Sequence, residues 1–212
     1  MKLTLFGATG DLGQQCLQQS LDAGHEVTAL VRDPAKLSQG LADKVQVVAG
    51  DALVANDIKR VIASDTDAIL FAIGVDKHSP QNLCTDATRL IFERMREVAV
   101  KRFVWCGGGS TLVAQDQVTF GARMVARIAA LFMALRHFDK EHQYAYLLDN
   151  QDIEWFGVRP LQMRKGPRRG QYRLGFDTFS GMSKIHFADC ADAMVGMLED
   201  DTWLHQAPII QY

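Results

Sequence analysis

Three glycines at three-residue spacing, Gly7, Gly10 and Gly13, stand between an apolar run and a helical pattern. The run is Leu3-Thr4-Leu5-Phe6. The pattern opens near Asp11, repeats through Leu12, Cys16, Leu17, Ser20 and Leu21, and stops at Gly24. A strand, a glycine turn and a helix in that order build an anion site. The glycines let the backbone turn sharply and approach a phosphate with no Cβ in the way. The helix N-terminus aims free N–H groups and the positive end of its dipole at the charge. The spacing is G-x-x-G-x-x-G, not the G-x-G-x-x-G of the general dinucleotide fingerprint. Its place between strand and helix points to a dinucleotide whose pyrophosphate is held by Gly7, Thr9, Gly10, Asp11, Leu12 and Gly13.

Other residues fall where such a site needs them. Glu26 to Val31 reads as the second strand, broken at Arg32-Asp33-Pro34. The tip of that strand is where a doubly wound sheet reads the adenosine ribose, with an acidic residue for a 2′-hydroxyl or an arginine for a 2′-phosphate. Arg32, with a guanidinium suited to bidentate phosphate contact, leans the expectation to NADP, and Asp33 keeps NAD open. Asp51 follows a third strand, Lys44 to Ala49, and either contacts the adenine or caps a helix from Asn56 to Ala63. Gly74 ends a fourth strand, Asp67 to Gly74, and lets the backbone approach the nicotinamide half. Arg102 to Cys106 is the fifth strand and runs into Gly107-Gly108-Gly109-Ser110. Three glycines there make sense if something flat lies against the backbone, with Ser110 or Thr111 donating to a substrate carbonyl; a simple loop turn is the alternative.

The remaining elements frame these residues. Helices are expected over Thr85 to Val98, Met124 to Leu135 and Asp139 to Asp149. The second of these, strongly apolar and carrying Arg123 and Arg127 near its start, reads as a site cover, a packing face or the contact of a homodimer. His137 and His142 lack metal-ligand partners at useful spacing and read as surface or packing residues. Glu154 to Arg159 is a sixth strand. Leu161 to Phe179 is basic and glycine-rich, and reads as a hairpin or lobe outside the sheet whose charge meets either an anionic ligand or solvent. Asp189 is expected to N-cap a helix from Cys190 to Leu198, and Ala207 to Tyr212 to add an edge strand. Strand and helix alternate throughout, which implies one α/β domain over residues 1–212, a doubly wound parallel sheet with a small substrate-side insertion at 161–180.

Composition narrows the partners. The chain has 212 residues, is 48% hydrophobic and carries a net charge of −2. That supports one sizeable core and gives no electrostatic pull toward nucleic acid or an anionic membrane. The longest apolar stretch, Ile128 to Leu135, is far below the roughly 18 residues of a membrane span. Cys16, Cys84, Cys106 and Cys190 form no C-x-x-C pair, which suits reduced thiols better than a disulfide frame or a metal site. With no signal-peptide core before the first strand, a cytoplasmic location is expected.

At this point the chain resembles the atypical short-chain dehydrogenases/reductases, within the single-domain NAD(P)H-binding group that includes biliverdin reductase B-like (flavin reductase-like) and NmrA-like proteins. The likeness rests on Gly7-Ala8-Thr9-Gly10-Asp11-Leu12-Gly13, Val31-Arg32-Asp33-Pro34, Gly50-Asp51, the strand Asp67 to Gly74, Gly107-Gly108-Gly109-Ser110 and Trp155-Phe156-Gly157-Val158-Arg159-Pro160. It implies the Rossmann fold, a cofactor on the first turn with an NADP bias from Arg32, and substrate held by the C-terminal third. One departure matters. Members with the ordinary activity carry Tyr-x-x-x-Lys, whose tyrosine donates a proton and whose lysine lowers its pKa. Here Tyr144 is followed four places on by Leu148 and Tyr146 by Asn150, and Tyr172 and Tyr212 also lack the lysine. The expectation is therefore a reductase that passes hydride to a small flat acceptor such as a flavin or quinone, with Ser110 as its polar contact. A redox sensor that binds NADP(H) without turnover is the alternative. An epimerase or dehydratase using His142 or Tyr144 is a further one.

Overall fold

A computed structural model describes residues 1–117, 119–177 and 184–212. Seven of its strands run parallel in one sheet. They are β1 (Lys2–Phe6), β2 (Glu26–Val31), β3 (Gln46–Ala49), β4 (Ala68–Phe71), β5 (Arg102–Cys106), β6 (Glu154–Pro160) and β10 (Ile209–Gln211). The order is β3-β2-β1-β4-β5-β6-β10-β8, with β8 (Arg173–Gly175) antiparallel at the edge. The chain leaves β1 in one direction, reaches β3, then returns to lay β4 on β1's other side. That reversal opens a crevice at the carboxyl ends of β1 and β4, where ligands of open α/β sheets bind.

Strand periodicity explains the two cores. Successive side chains point to opposite faces, and both faces are covered. Leu3, Leu5, Val104 and Phe156 pack under α1 (Asp11–Asp22) and α7 (Phe187–Gly196). Phe6, Phe71, Phe103, Trp105 and Trp155 face α3 (Ala55–Val61), α4 (Leu83–Val98) and α6 (Ala134–Leu148). The four cysteines are buried and free, and burial pushes the Cys84 thiol up to about 11. No helix among the described residues is long and apolar enough to cross a membrane.

Several boundaries differ from the sequence expectation. The fourth strand stops at Phe71, because β4 pairs with β1 and β5 only that far. The apolar helix runs earlier, as α5 (Phe120–Phe132), and α6 begins only two residues later, at Ala134. The break is at Met133, whose φ of −133° leaves the helical region. α5 is not buried: Phe120, Leu131 and Phe132 are about 80% exposed. The basic stretch does not stay outside the sheet, since β8 joins it through β10, so β10 is internal rather than an edge. β7 (Gln162–Arg164) pairs instead with β9 (Lys184–His186). Residues 178–180 of the expected insertion lie outside the described residues.

Asp189 is not an N-cap. His186 occupies that position, and Asp189 sits in the first turn of α7. Its carboxylate accepts the N–H groups of Arg169 (2.7 Å) and Gly170 (2.8 Å) and the Tyr212 hydroxyl (2.6 Å). Burial alone would raise this carboxyl, but the Tyr212 hydroxyl and the two N–H groups outweigh it and hold it below the ordinary value. One carboxylate thus ties the basic stretch and the tail to α7.

A second buried charge fixes the loop after β5. Arg159 of β6 is fully buried and pairs with the equally buried Asp116 at 2.5 Å. The same guanidinium donates to the carbonyls of Thr111 and Ala207, both at 2.5 Å. Removing one partner leaves the other charge buried and unanswered. Arg159→Leu is expected to cost about 3–5 kcal/mol of unfolding free energy in a urea titration; a loss under about 1 kcal/mol would show that the clamp is not structural.

Candidate functional site

The turn after β1 is shaped partly by its own packing. Gly7 has a φ of +87°, and a Cβ there would lie 2.7 Å from the Ala72 carbonyl. A Cβ on Gly13 would lie 2.0 Å from the Gly7 oxygen. Both positions therefore exclude a side chain whatever binds. Gly10 differs. Its backbone is extended, with φ −79° and ψ 162°, and its Cβ would meet only the Gly7 oxygen, at 3.5 Å. Among the described residues nothing crowds this position, so the bare surface suits an outside group. The first bond of α1 runs from the Gln14 N–H to the Gly10 carbonyl at 2.9 Å. The N–H groups of Asp11, Leu12 and Gly13 precede it and have no acceptor in the helix. A pyrophosphate fits this turn by both steric and electrostatic criteria.

A cleft of about 340 Å³ opens beside the turn. It is lined by Gly7, Thr9, Gly10, Arg32, Asp51 and Gly74 among others, so the crevice brings these six expected residues together. Leu12 and Gly13 do not line it. Leu12 points into the core at 6% exposure and Gly13 packs on Gly7, so each has only its N–H to offer a ligand. Asp11 is occupied by Lys165, 3.2 Å away, which brings one cation of the basic stretch to the rim of the turn. Arg32 is exposed on the cleft wall. Asp33 is occupied in its own turn, accepting the Ala35 N–H at 3.1 Å. Asp51 does not cap α3. Its carboxylate accepts the Leu53 N–H (2.9 Å), and its own N–H donates to Asp57 (2.8 Å).

Beyond the cleft, α6 packs against the loop after β5. Lys140 is 4% exposed. Its Nζ donates to the Cys106 carbonyl (3.0 Å), the Ile73 carbonyl (3.4 Å) and Gln143 Oε1 (3.1 Å). It thus bridges the chain ends of β4 and β5. Next to it, Asp139 accepts the Cys84 and Thr85 N–H groups (2.8 and 3.0 Å), capping α4 from another helix. Ser110 Oγ lies 3.2 Å from His137 Nδ1. The neighbouring Thr111 hydroxyl is buried with no partner among the described residues.

The glycines of this loop have a different cause from the one expected. A Cβ on Gly107 would strike the Trp105 ring at 2.7 Å, and one on Gly109 would strike Leu161 Cα at 2.6 Å. Those two are bare because the protein itself fills the space. Only Gly108 is open, with nothing nearer than Ser110 Oγ at 3.8 Å. Gly74 likewise has no crowding around it.

A family model described as NAD(P)H-binding matches residues 7–201. The chain belongs to the NAD(P)H-binding family. YwnB of Bacillus subtilis, an uncharacterized protein, is 28% identical over 94% of this chain and 92% of its own. A solved structure from Burkholderia pseudomallei superposes with a TM-score of 0.80, at 30% identity and full coverage of both chains. ChuY from Escherichia coli O157:H7, named an anaerobilin reductase, superposes with a TM-score of 0.77 over all of this chain and 97% of its own. At 20% identity that likeness speaks for the fold alone.

Lys140 is a buried charge beside the loop after β5 that the sequence expectation does not single out. A search that starts from tyrosines never reaches Lys140, because four residues before it stands Arg136, an exposed residue. A readable signal was there nonetheless. Asp139, Lys140 and Gln143 share a helix with the inward Tyr144 and Leu147, and polar residues on a buried face need partners. His137, expected as a packing or surface residue, is buried beside Ser110. His142 is exposed and bonds Asn82.

Gly10→Ala is expected to weaken NADPH at least tenfold in a fluorescence titration while costing no more than about 1 kcal/mol of stability. Gly13→Ala should do the reverse in kind, lowering the unfolding midpoint itself. Unchanged affinity in Gly10→Ala would mean that no phosphate approaches that face.

Proposed function

We propose that the chain is an NADPH-preferring oxidoreductase that passes hydride to a small, flat, conjugated acceptor such as a flavin or quinone. The observation that carries this reading is a nucleotide turn on the same sheet edge as a buried lysine, Lys140, whose ammonium is held by two carbonyls and Gln143 rather than by a tyrosine hydroxyl. With Arg136 four residues before Lys140, an acceptor that takes hydride directly is the better chemical match. The geometry gives less support to an epimerase or dehydratase. Tyr144 is wedged between the Trp105 and Trp155 rings, and burial pushes its hydroxyl up, away from easy proton release.

The cofactor preference rests on charge. Arg32 makes no hydrogen bond or ion pair with any other described residue, while Asp33 is held by its own turn. That leaves the guanidinium available to a 2′-phosphate and the carboxylate less available to a 2′-hydroxyl. When bound, NADPH would supply the hydride. The chain's part is to hold the phosphates at the turn and orient the acceptor near Ser110.

Arg32→Ala should weaken NADPH by about 1.5–3 kcal/mol, roughly 10- to 100-fold, and barely change NADH; equal losses for both would contradict the 2′-phosphate role. Purified chain mixed with NADPH and either FMN or menadione should oxidise the nucleotide above background. Tight binding with no oxidation on a broad acceptor panel would favour a non-catalytic redox sensor.

A further inference from the structure

We propose that Ser110, His137 and Glu141 form a proton relay that delivers the proton accompanying hydride transfer, the imidazole acting through the serine hydroxyl. This deepens the oxidoreductase reading and rests on it. Ser110 Oγ is 3.2 Å from His137 Nδ1, and His137 Nε2 is 3.4 Å from Glu141 Oε1. The His137 side chain is 5% exposed and that of Glu141 39%. A half-exposed carboxylate at ion-pair distance, a buried ring and a hydroxyl at the carboxyl end of β5 therefore stand in line. A histidine that only packs would satisfy its ring on backbone carbonyls. His186 does so on Pro167 (2.8 Å) and His205 on Ile153 (2.9 Å). His137 instead joins two side chains that can both exchange protons.

The elements that position the relay are already fixed for other reasons. Lys140 pins α6 to the Cys106 carbonyl, three positions after His137 and one before Glu141. Residues three and four apart share a helix face, so His137, Lys140 and Glu141 lie together. The Arg159–Asp116 clamp holds the loop that carries Ser110, since Arg159 also binds the Thr111 carbonyl. The charged neighbours of the ring on its own helix are Arg136, Lys140 and Glu141. α5, packed on α6, carries Arg123 and Arg127, and the facing stretch Gly107–Thr111 has no ionisable side chain.

The chemistry balances. The hydride carries two electrons to an electrophilic atom of the acceptor. The electron pair displaced to the acceptor's conjugated oxygen or nitrogen takes a proton from the Ser110 O–H. The His137 imidazolium gives its Nδ1 proton to Ser110 Oγ and becomes neutral while Glu141 holds its Nε2–H, and a hydronium ion from solvent then restores the imidazolium. In sum, acceptor, NADPH and one proton give reduced acceptor and NADP⁺. General acid catalysis of this kind is worth about 10²–10⁴ in rate.

Two readouts test the relay. In the nucleotide-free chain, NMR of the His137 ring should show a titration that changes in both Ser110→Ala and Glu141→Gln; a ring indifferent to both substitutions overturns the relay whatever the activity. In turnover with NADPH and menadione, wild-type kcat should fall as rising pH removes the imidazolium. His137→Gln should lower kcat by about 10²-fold or more, abolish that pH dependence and leave NADPH binding unchanged. Should the buried substitution prevent folding, Glu141→Gln at the surface should still displace the pH profile. Turnover with the same pH profile in wild type and variants overturns the relay and leaves the oxidoreductase reading standing. No turnover by the wild type on any acceptor sinks both.

Discussion

A buried ammonium must be answered by oxygen atoms, and the answer Lys140 finds sets the geometry of the site. Its partners are two carbonyls at the ends of β4 and β5 and one amide oxygen on its own helix. Burying a charge without such partners costs far more than the bonds return in water. The lysine can therefore sit in one place only, and α6 with it. Asp139 and Gln143 reinforce the position by capping α4 and binding Thr88. Everything α6 presents to the loop after β5, His137 included, inherits its place from this polar seam.

The nucleotide end follows a different constraint, that of space. Gly7 and Gly13 are required by close contacts within the protein, whereas Gly10 is bare toward the cleft. The first two build a rigid turn and the third leaves it open to a phosphate. Charge completes the arrangement: free N–H groups at the start of α1, Arg32 across the cleft, and Lys165 brought to the rim by Asp11. The nucleotide turn and the polar seam of Lys140 thus lie along the carboxyl ends of one parallel sheet. That is the arrangement a hydride transfer between two bound molecules requires.

The architecture was legible in sequence wherever a local rule governed it. β2 and β5 have the boundaries that apolar runs and the flanking Pro34 and Gly107 mark out. The glycine turn was legible for the same reason, since positive φ and close approach demand glycine. What escaped depends on partners distant in sequence. Ser110 meets His137 across 27 positions, and Arg159 meets Asp116 across 43. The cause of the Gly107 and Gly109 pair also lay out of view, because Trp105 and Leu161 fill the space only after β5 and β6 align. Asp189 shows the remaining failure. An acidic residue before an apolar helical run looks like a cap, yet here tertiary donors compete for it and win. The break at Met133 carries no glycine or proline, so no local signal announces it.

A crystal structure of the chain grown with NADPH tests the central claim most directly. The claim predicts the pyrophosphate on the N–H groups of Asp11 to Gly13 and the 2′-phosphate within hydrogen-bond reach of Arg32. It also predicts the nicotinamide ring between Gly74 and Ser110. A nucleotide bound elsewhere, or with its 2′-phosphate turned to solvent and its nicotinamide away from Ser110, would contradict it.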